Sequence, residues 1–153
     1  GLDTSNPDWK KIYADYRNFQ RDQVLWFRFA EGRFDNFMSS QRLYTHCTLC
    51  SKSGARWGYF HPGEVTVEGA TNGYRRDDKD PPSAEVHFCP SCGATTHFVL
   101  TEDAVGKFGN VVMGVNMWLA NPSDLAGIEL RFPDGRAWPG EGDFAYVREA
   151  RPL

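Results

Sequence analysis

The spacing of apolar positions changes once along the chain, near residue 23. In "SNPDWKKIYADYRNFQRDQ" the large apolar residues Trp9, Ile12, Tyr13, Tyr16 and Phe19 recur three and four apart, with Ser5 or Asn6 available as a cap and Pro7 in the first turn. At 3.6 residues per turn those positions share one stripe, which predicts an amphipathic helix of about four turns within residues 1–22. From Val24 the texture becomes that of strands: "VLWFRF", "RWGYF", "EVTVEG", "AEVHF", "TTHFVL", "NVVMGVNMWL" and "IELRF". These runs are rich in branched and aromatic residues and are bounded by Gly, Pro, Asn or Asp. "NPSDLAG" between the last two suits a single helical turn, and Asp134-Gly135 in "FPDGRAW" suits the corner between two antiparallel strands. The elements predict one domain over residues 1–153 of mainly β, α+β class. In it a compact antiparallel β domain, residues 24–153, carries the N-terminal helix packed on it.

Composition narrows the function classes. The chain has 153 residues, enough to bury a core without disulfides, and its 41% hydrophobic against 24% charged content excludes a disordered chain. The net charge is −3, and the one dense charge run, "RRDDKDPP" at Arg75 to Pro82, has nearly balanced signs beside two prolines. That predicts a solvated loop and no nucleic-acid partner. No apolar run approaches the roughly 18 to 20 residues that cross a bilayer, and the polar start lacks the charged head and apolar middle of a secretory signal. The expectation is a soluble, cytoplasmic protein with no membrane partner.

All four cysteines fall into two pairs of identical spacing, Cys47-Thr-Leu-Cys50 and Cys89-Pro-Ser-Cys92. Two residues between cysteines let a tight turn aim both sulfurs at one centre, so two turns supply the four thiolates of a closed zinc site. Pro90 presets the second turn, and Gly93 can adopt the positive φ that such a turn needs. The expectation is one zinc per chain on Cys47, Cys50, Cys89 and Cys92. Alternatives are free thiols, a disulfide across the pairs and a redox C-x-x-C, the last disfavoured because neither pair precedes a convincing helical pattern. A closed site has no position for substrate, so the chemistry would fall to other residues, with His46, His87 and His97 concentrated near the cysteines.

The runs "HCTLCSKSGARWGYFHPGEVTVEG", "EVHFCPSCGATTHF" and "GVNMWLANPSDLAGIELRFPDGRAW" together resemble the glutathione-dependent formaldehyde-activating enzyme family, which includes centromere protein V, over about residues 43–138. The resemblance implies a β fold of the zinc-knuckle type shared with methionine sulfoxide reductase B. It also implies carbon–sulfur lyase chemistry on a thiol adduct of glutathione and formaldehyde. Family members carry a structural zinc on an early C-x-C with a late C-x-x-C, and a catalytic zinc on a central C-x-C-x-x-C. By motif Cys89 and Cys92 match the late structural pair, and Cys47 and Cys50 match the last two cysteines of the catalytic cluster. Thr45 stands where the first cysteine of that cluster would be, and the early C-x-C is absent, with Gln20 and Asp22 at about its place. The resemblance therefore implies two half sites, where cysteine arithmetic gives one shared site, and both expectations stand.

The first functional expectation is a lyase-type enzyme acting on a small molecule such as a thiol adduct. Its proton transfers would fall to His46 or His97, whose ordinary pKa near 6.5 suits both directions, and either a zinc with an open position at Cys47 and Cys50 or a donor such as Arg56 or Asn116 would polarise the leaving group. Trp26, Trp57, Tyr59, Phe60 and Trp118 could line its apolar pocket. The second is a non-catalytic, metal-stapled module that binds a partner, or a second copy as a homodimer, through the helical stripe of Trp9, Tyr13 and Tyr16.

Overall fold

The computed structural model describes residues 11–13, 26–29, 42–44, 48–135, 137, 139, 142–143 and 145–152. Among these, the strands are β1 (Lys11–Tyr13), β2 (Trp26–Phe29), β3 (Leu43–Tyr44), β4 (Trp57–Phe60), β5 (Val65–Glu68), β6 (Asn72–Arg75), β7 (Ala84–Phe88), β8 (Thr95–Leu100), β9 (Met113–Asn116), β10 (Glu129–Pro133) and β11 (Tyr146–Pro152). They form a small sheet in the order β1-β2-β5 and a large one in the order β11-β10-β3-β4-β9-β8-β7-β6. All neighbours are antiparallel except β3 and β10, so the large sheet is mixed. The described residues are thus mainly β with few helices, as the strand-like runs predict.

The core lies between the two sheets. In β2 the period of two turns Phe27 and Phe29 inward, both fully buried. Phe29 meets Phe60 of β4 at 5.0 Å, and Phe27 meets the His97 ring of β8 edge-on at 5.6 Å. Leu43, Val65, Met113, Val115, Leu130 and Phe132 complete the layer. Strand β9, flanked on both sides and buried at all four positions, is the centre of the large sheet and comes from the most continuous apolar run in the chain.

Seven predicted strands are present, and Asp134 turns the chain out of β10 toward an antiparallel β11, its N–H donating to Ala145 O at 2.6 Å. Three features depart from expectation. Lys11–Tyr13 pair with Trp26–Arg28 as a strand where a helix is predicted. Ile12 and Tyr13 belong to the predicted stripe, but β pairing with an apolar strand satisfies the same residues at a different period. The rest of the predicted helix lies outside the described residues. A helix, Thr48–Ser53, follows β3 and contains Cys50, which removes the ground on which the redox reading of the first pair is disfavoured. A second helix, Glu102–Phe108, is capped by the Thr101 hydroxyl on Ala104 N–H at 3.4 Å and ends at Gly109, φ 81°.

Candidate functional site

Strand alternation gives the large sheet two unlike faces. The outer face, away from the small sheet, carries Trp57 and Tyr59 of β4, Phe98 of β8 and Val86 of β7. Registers Tyr59↔Gly114, Phe98↔Gly114 and Val86↔Phe98 bring these residues together. Phe98 stands edge-on to Trp57 at 5.1 Å and to Tyr59 at 6.1 Å, while Tyr44 stacks on Tyr59 at 5.3 Å. The rings of Trp57, Tyr59 and Phe98 form one wall of a cavity of about 480 Å³. Cys50 and Leu49 of the short helix form a second wall, and the loop carrying Arg76, Lys79, Pro81 and Pro82 forms the rim. The Trp57 indole N–H donates to Cys50 Sγ at 3.2 Å, fixing both groups.

Space for this arrangement comes from Gly114. A Cβ there would lie 2.1 Å from Phe98 Cε1, an impossible separation, so the ring occupies the space that a side chain at position 114 would need. Sequence reasoning named Trp57 and Tyr59 as pocket residues but missed Phe98, Gly114 and Lys79. A glycine inside the apolar run "VVMGVNMW" is the signal that could have located the close approach. The other aromatic candidates go elsewhere: Phe60 is core, and Trp118 is 54% exposed with the Arg56 guanidinium 4.7 Å above its ring. The Trp26 side chain lies outside the described residues.

The inner face holds the histidines. His87 and His97, directly opposite on β7 and β8, stack at 4.5 Å with 19° between rings. His87 Nδ1 is 2.9 Å from Thr71 Oγ1, and its Nε2 is 2.8 Å from Glu85 Oε1. The latter contact has the distance of an ion pair but lacks hydrogen-bond alignment, so its strength depends on a charged ring. His97 is 4% exposed, with Nδ1 3.0 Å from Thr96 Oγ1. Burial, and then the charge of His87 beside it, push the His97 pKa down to about 3, with Glu85 opposing. A ring neutral over that range, enclosed between the sheets, is placed as a structural residue and not toward the cavity.

Arg56 and Asn116 are brought together, as backbone partners. Asn116 is buried, and its Oδ1 accepts from Arg56 N–H at 3.0 Å and from Trp118 N–H at 3.3 Å, while Nδ2 donates to Thr95 O at 2.8 Å. Three of the four hydrogen bonds an amide can make are therefore spent on joining β8, β9 and the start of β4. Arg56 donates to Gly54 O at 3.3 Å and covers Trp118. His46 lies outside the described residues.

The second cysteine pair forms the expected turn. Gly93 has φ 77°, its N–H donates to Cys89 O at 2.8 Å, and Cys89 N–H donates to Ala94 O at 2.9 Å. Cys89 is buried in the core layer with Cys92 packed against it, whereas Cys50 faces the outer cavity. Among the described residues no three His, Cys, Asp or Glu side chains gather as metal donors. Cys47, like His46, lies outside those residues. The donors described thus do not complete a zinc site. No helix among the described residues is long and apolar enough to cross a membrane.

No protein-family model matches the chain, and no curated protein matches it. Among solved structures it is similar to a Rhodobacter sphaeroides protein determined as a structural-genomics target. The two are 22% identical over 68% of this chain and 89% of that one, with a TM-score of 0.46.

Proposed function

We propose that this chain is a small-molecule enzyme of the formaldehyde-activating type, a carbon–sulfur lyase or a derivative of one, working in the outer cavity. The observation that carries the reading is a cysteine sulfur on the wall of a ligand-sized apolar cavity, with a fixed indole donor aimed at it. Breakdown of a hydroxymethyl thioether breaks its C–S bond, turns its C–O bond into a carbonyl, removes the hydroxyl proton and returns a proton to the departing sulfur. Cys50 is the group in the lining suited to that exchange. As thiolate it takes the hydroxyl proton, and as thiol it gives the proton to the leaving sulfur. The Trp57 N–H favours the charged form of the Cys50 sulfur, the form present before the first event and restored after the second. The stripe on which a partner-binding module would depend includes Tyr13, which belongs to a strand, so no observation favours that second reading.

The test is exchange NMR of glutathione or cysteine mixed with formaldehyde, with and without the purified protein. Adduct turnover above the uncatalysed rate, lost in Cys50→Ala while the fold persists, is the expected result. Unchanged exchange with every thiol tried would sink the lyase reading. Zinc content per chain, measured on the same samples and on Cys47→Ser and Cys89→Ser, decides the metal expectation separately.

A further inference from the structure

The cavity's charge is as uneven as its shape. Its lining contains two cationic side chains, Arg76 and Lys79, and no carboxylate, although the whole chain carries −3. Arg76 is engaged by Asp78 through both guanidinium arms, at 2.8 and 2.5 Å. Lys79 forms no ion pair among the described residues. Beneath the rim, the rings of Trp57, Tyr59 and Phe98 are held by one another and by the absence of a side chain at Gly114. A rigid aromatic floor favours a flat apolar body, because it can cover ring faces and edges without losing rotamer freedom of its own. The Lys79 ammonium at the rim, whose acidic neighbour Asp78 is already engaged by Arg76, favours a negative group at one end of that body.

We infer that the cavity takes a small organic anion with a flat apolar body, seated on Trp57, Tyr59 and Phe98 with its anionic group at Lys79. This rests on the reading of the cavity as a small-molecule site and names the class of molecule it selects. The aromatic floor supplies most of the affinity, and Lys79 supplies the sign preference and the orientation.

Three probes of one body and different charge test it: naphthoate, naphthalenemethanol and naphthalenemethylammonium. Each is titrated into the full chain by calorimetry, while the Trp57 indole N–H resonance reports occupancy of the cavity. The expected ranking is anion, then neutral, then cation, with successive steps of about two- to fivefold in Kd, the size an exposed ion pair gives. Lys79→Gln should remove the preference while leaving the alcohol's affinity unchanged, and Lys79→Glu should invert the ranking. Lys79 is on an exposed loop, so both variants fold. Equal binding of all three probes, with the Trp57 resonance shifted by each, would overturn the anion preference and leave the small-molecule reading standing. So would a ranking that survives Lys79→Glu. Failure of every probe to move the Trp57 resonance would overturn both.

Discussion

His97 and Phe98 are neighbours on β8 and belong to opposite worlds. His97 points between the sheets, where Phe27, His87 and Thr96 surround it and water is excluded. Phe98 points outward, half-buried, into a cavity whose rim is charged loop. By residue type the histidine is the better candidate for chemistry. By position it is the worse one, because every group around it is already committed to holding the sheets together. The comparison teaches that the surroundings of a residue depend on the face on which strand alternation places it: the phenylalanine on the open face shapes a cavity, and the histidine on the closed one shapes the core.

The largest effect should come from breaking the closed face. Phe27 is fully buried and touches His97 edge-on, so Phe27→Ala should cost about 3–5 kcal/mol in urea unfolding, the loss expected when a buried ring leaves a cavity. Leu49→Ala, on the half-buried wall of the outer cavity, should cost about 1 kcal/mol, near the centre of the range for single substitutions. Equal losses at the two sites would show that the outer wall is as much core as the inner layer.

A smaller and more specific effect is expected at the point where the faces are joined. Gly114→Ala drives a methyl into the Phe98 ring and should cost about 1–3 kcal/mol, with displacement of the ring from Trp57. Because the penalty is a collision between two named groups, adding Phe98→Leu should relieve part of it. A double-mutant cycle that finds the two changes additive would remove the steric account of Gly114.

How far these faces are legible in the sequence follows from what sets each feature. Strands β4, β7, β8 and β9 are readable because their apolar and branched runs are long and clearly bounded. β6 is not, since "NGYR" has exposed positions only and exists as a strand through pairing with β7 and the Arg75 contact to Glu85 at 2.6 Å. β3 is too short to show a period and is defined by its neighbours β4 and β10. The charge run at residues 75–82 is read correctly as exposed. Its placement over the aromatic wall depends on the β6–β7 hairpin, a long-range consequence that no local pattern records. For the site, Trp57, Tyr59 and Cys50 could be named from the sequence but not grouped. His97 and Asn116 can be named from the sequence, but not the partners that engage them, His87 and Thr96 for the one and Arg56, Trp118 and Thr95 for the other.

The effect most discriminating between the faces is the acid dependence of stability. His97 is neutral in the folded protein down to about pH 3, whereas in the unfolded chain an ordinary histidine takes up a proton below about 6.5. Between those values the unfolded state binds the extra proton, so stability is complete above about pH 6.5 and falls as the pH drops toward 3. The slope at its steepest is about 1.4 kcal/mol per pH unit. Glu85 works in the same direction at lower pH: the Arg75 hydrogen bond holds its carboxyl below the ordinary range, and that stabilisation is lost only as the carboxylate protonates. Unfolding free energies measured between pH 7 and about pH 5 therefore isolate the histidine from the carboxylate. In that window His97→Gln, which keeps a polar side chain beside Thr96 but cannot gain a proton, should flatten the acid limb. Lys79→Gln on the open face should leave the limb unchanged. If the limb persists in His97→Gln, the proton uptake belongs to another group, and the assignment of His97 to the closed, structural face loses its energetic support.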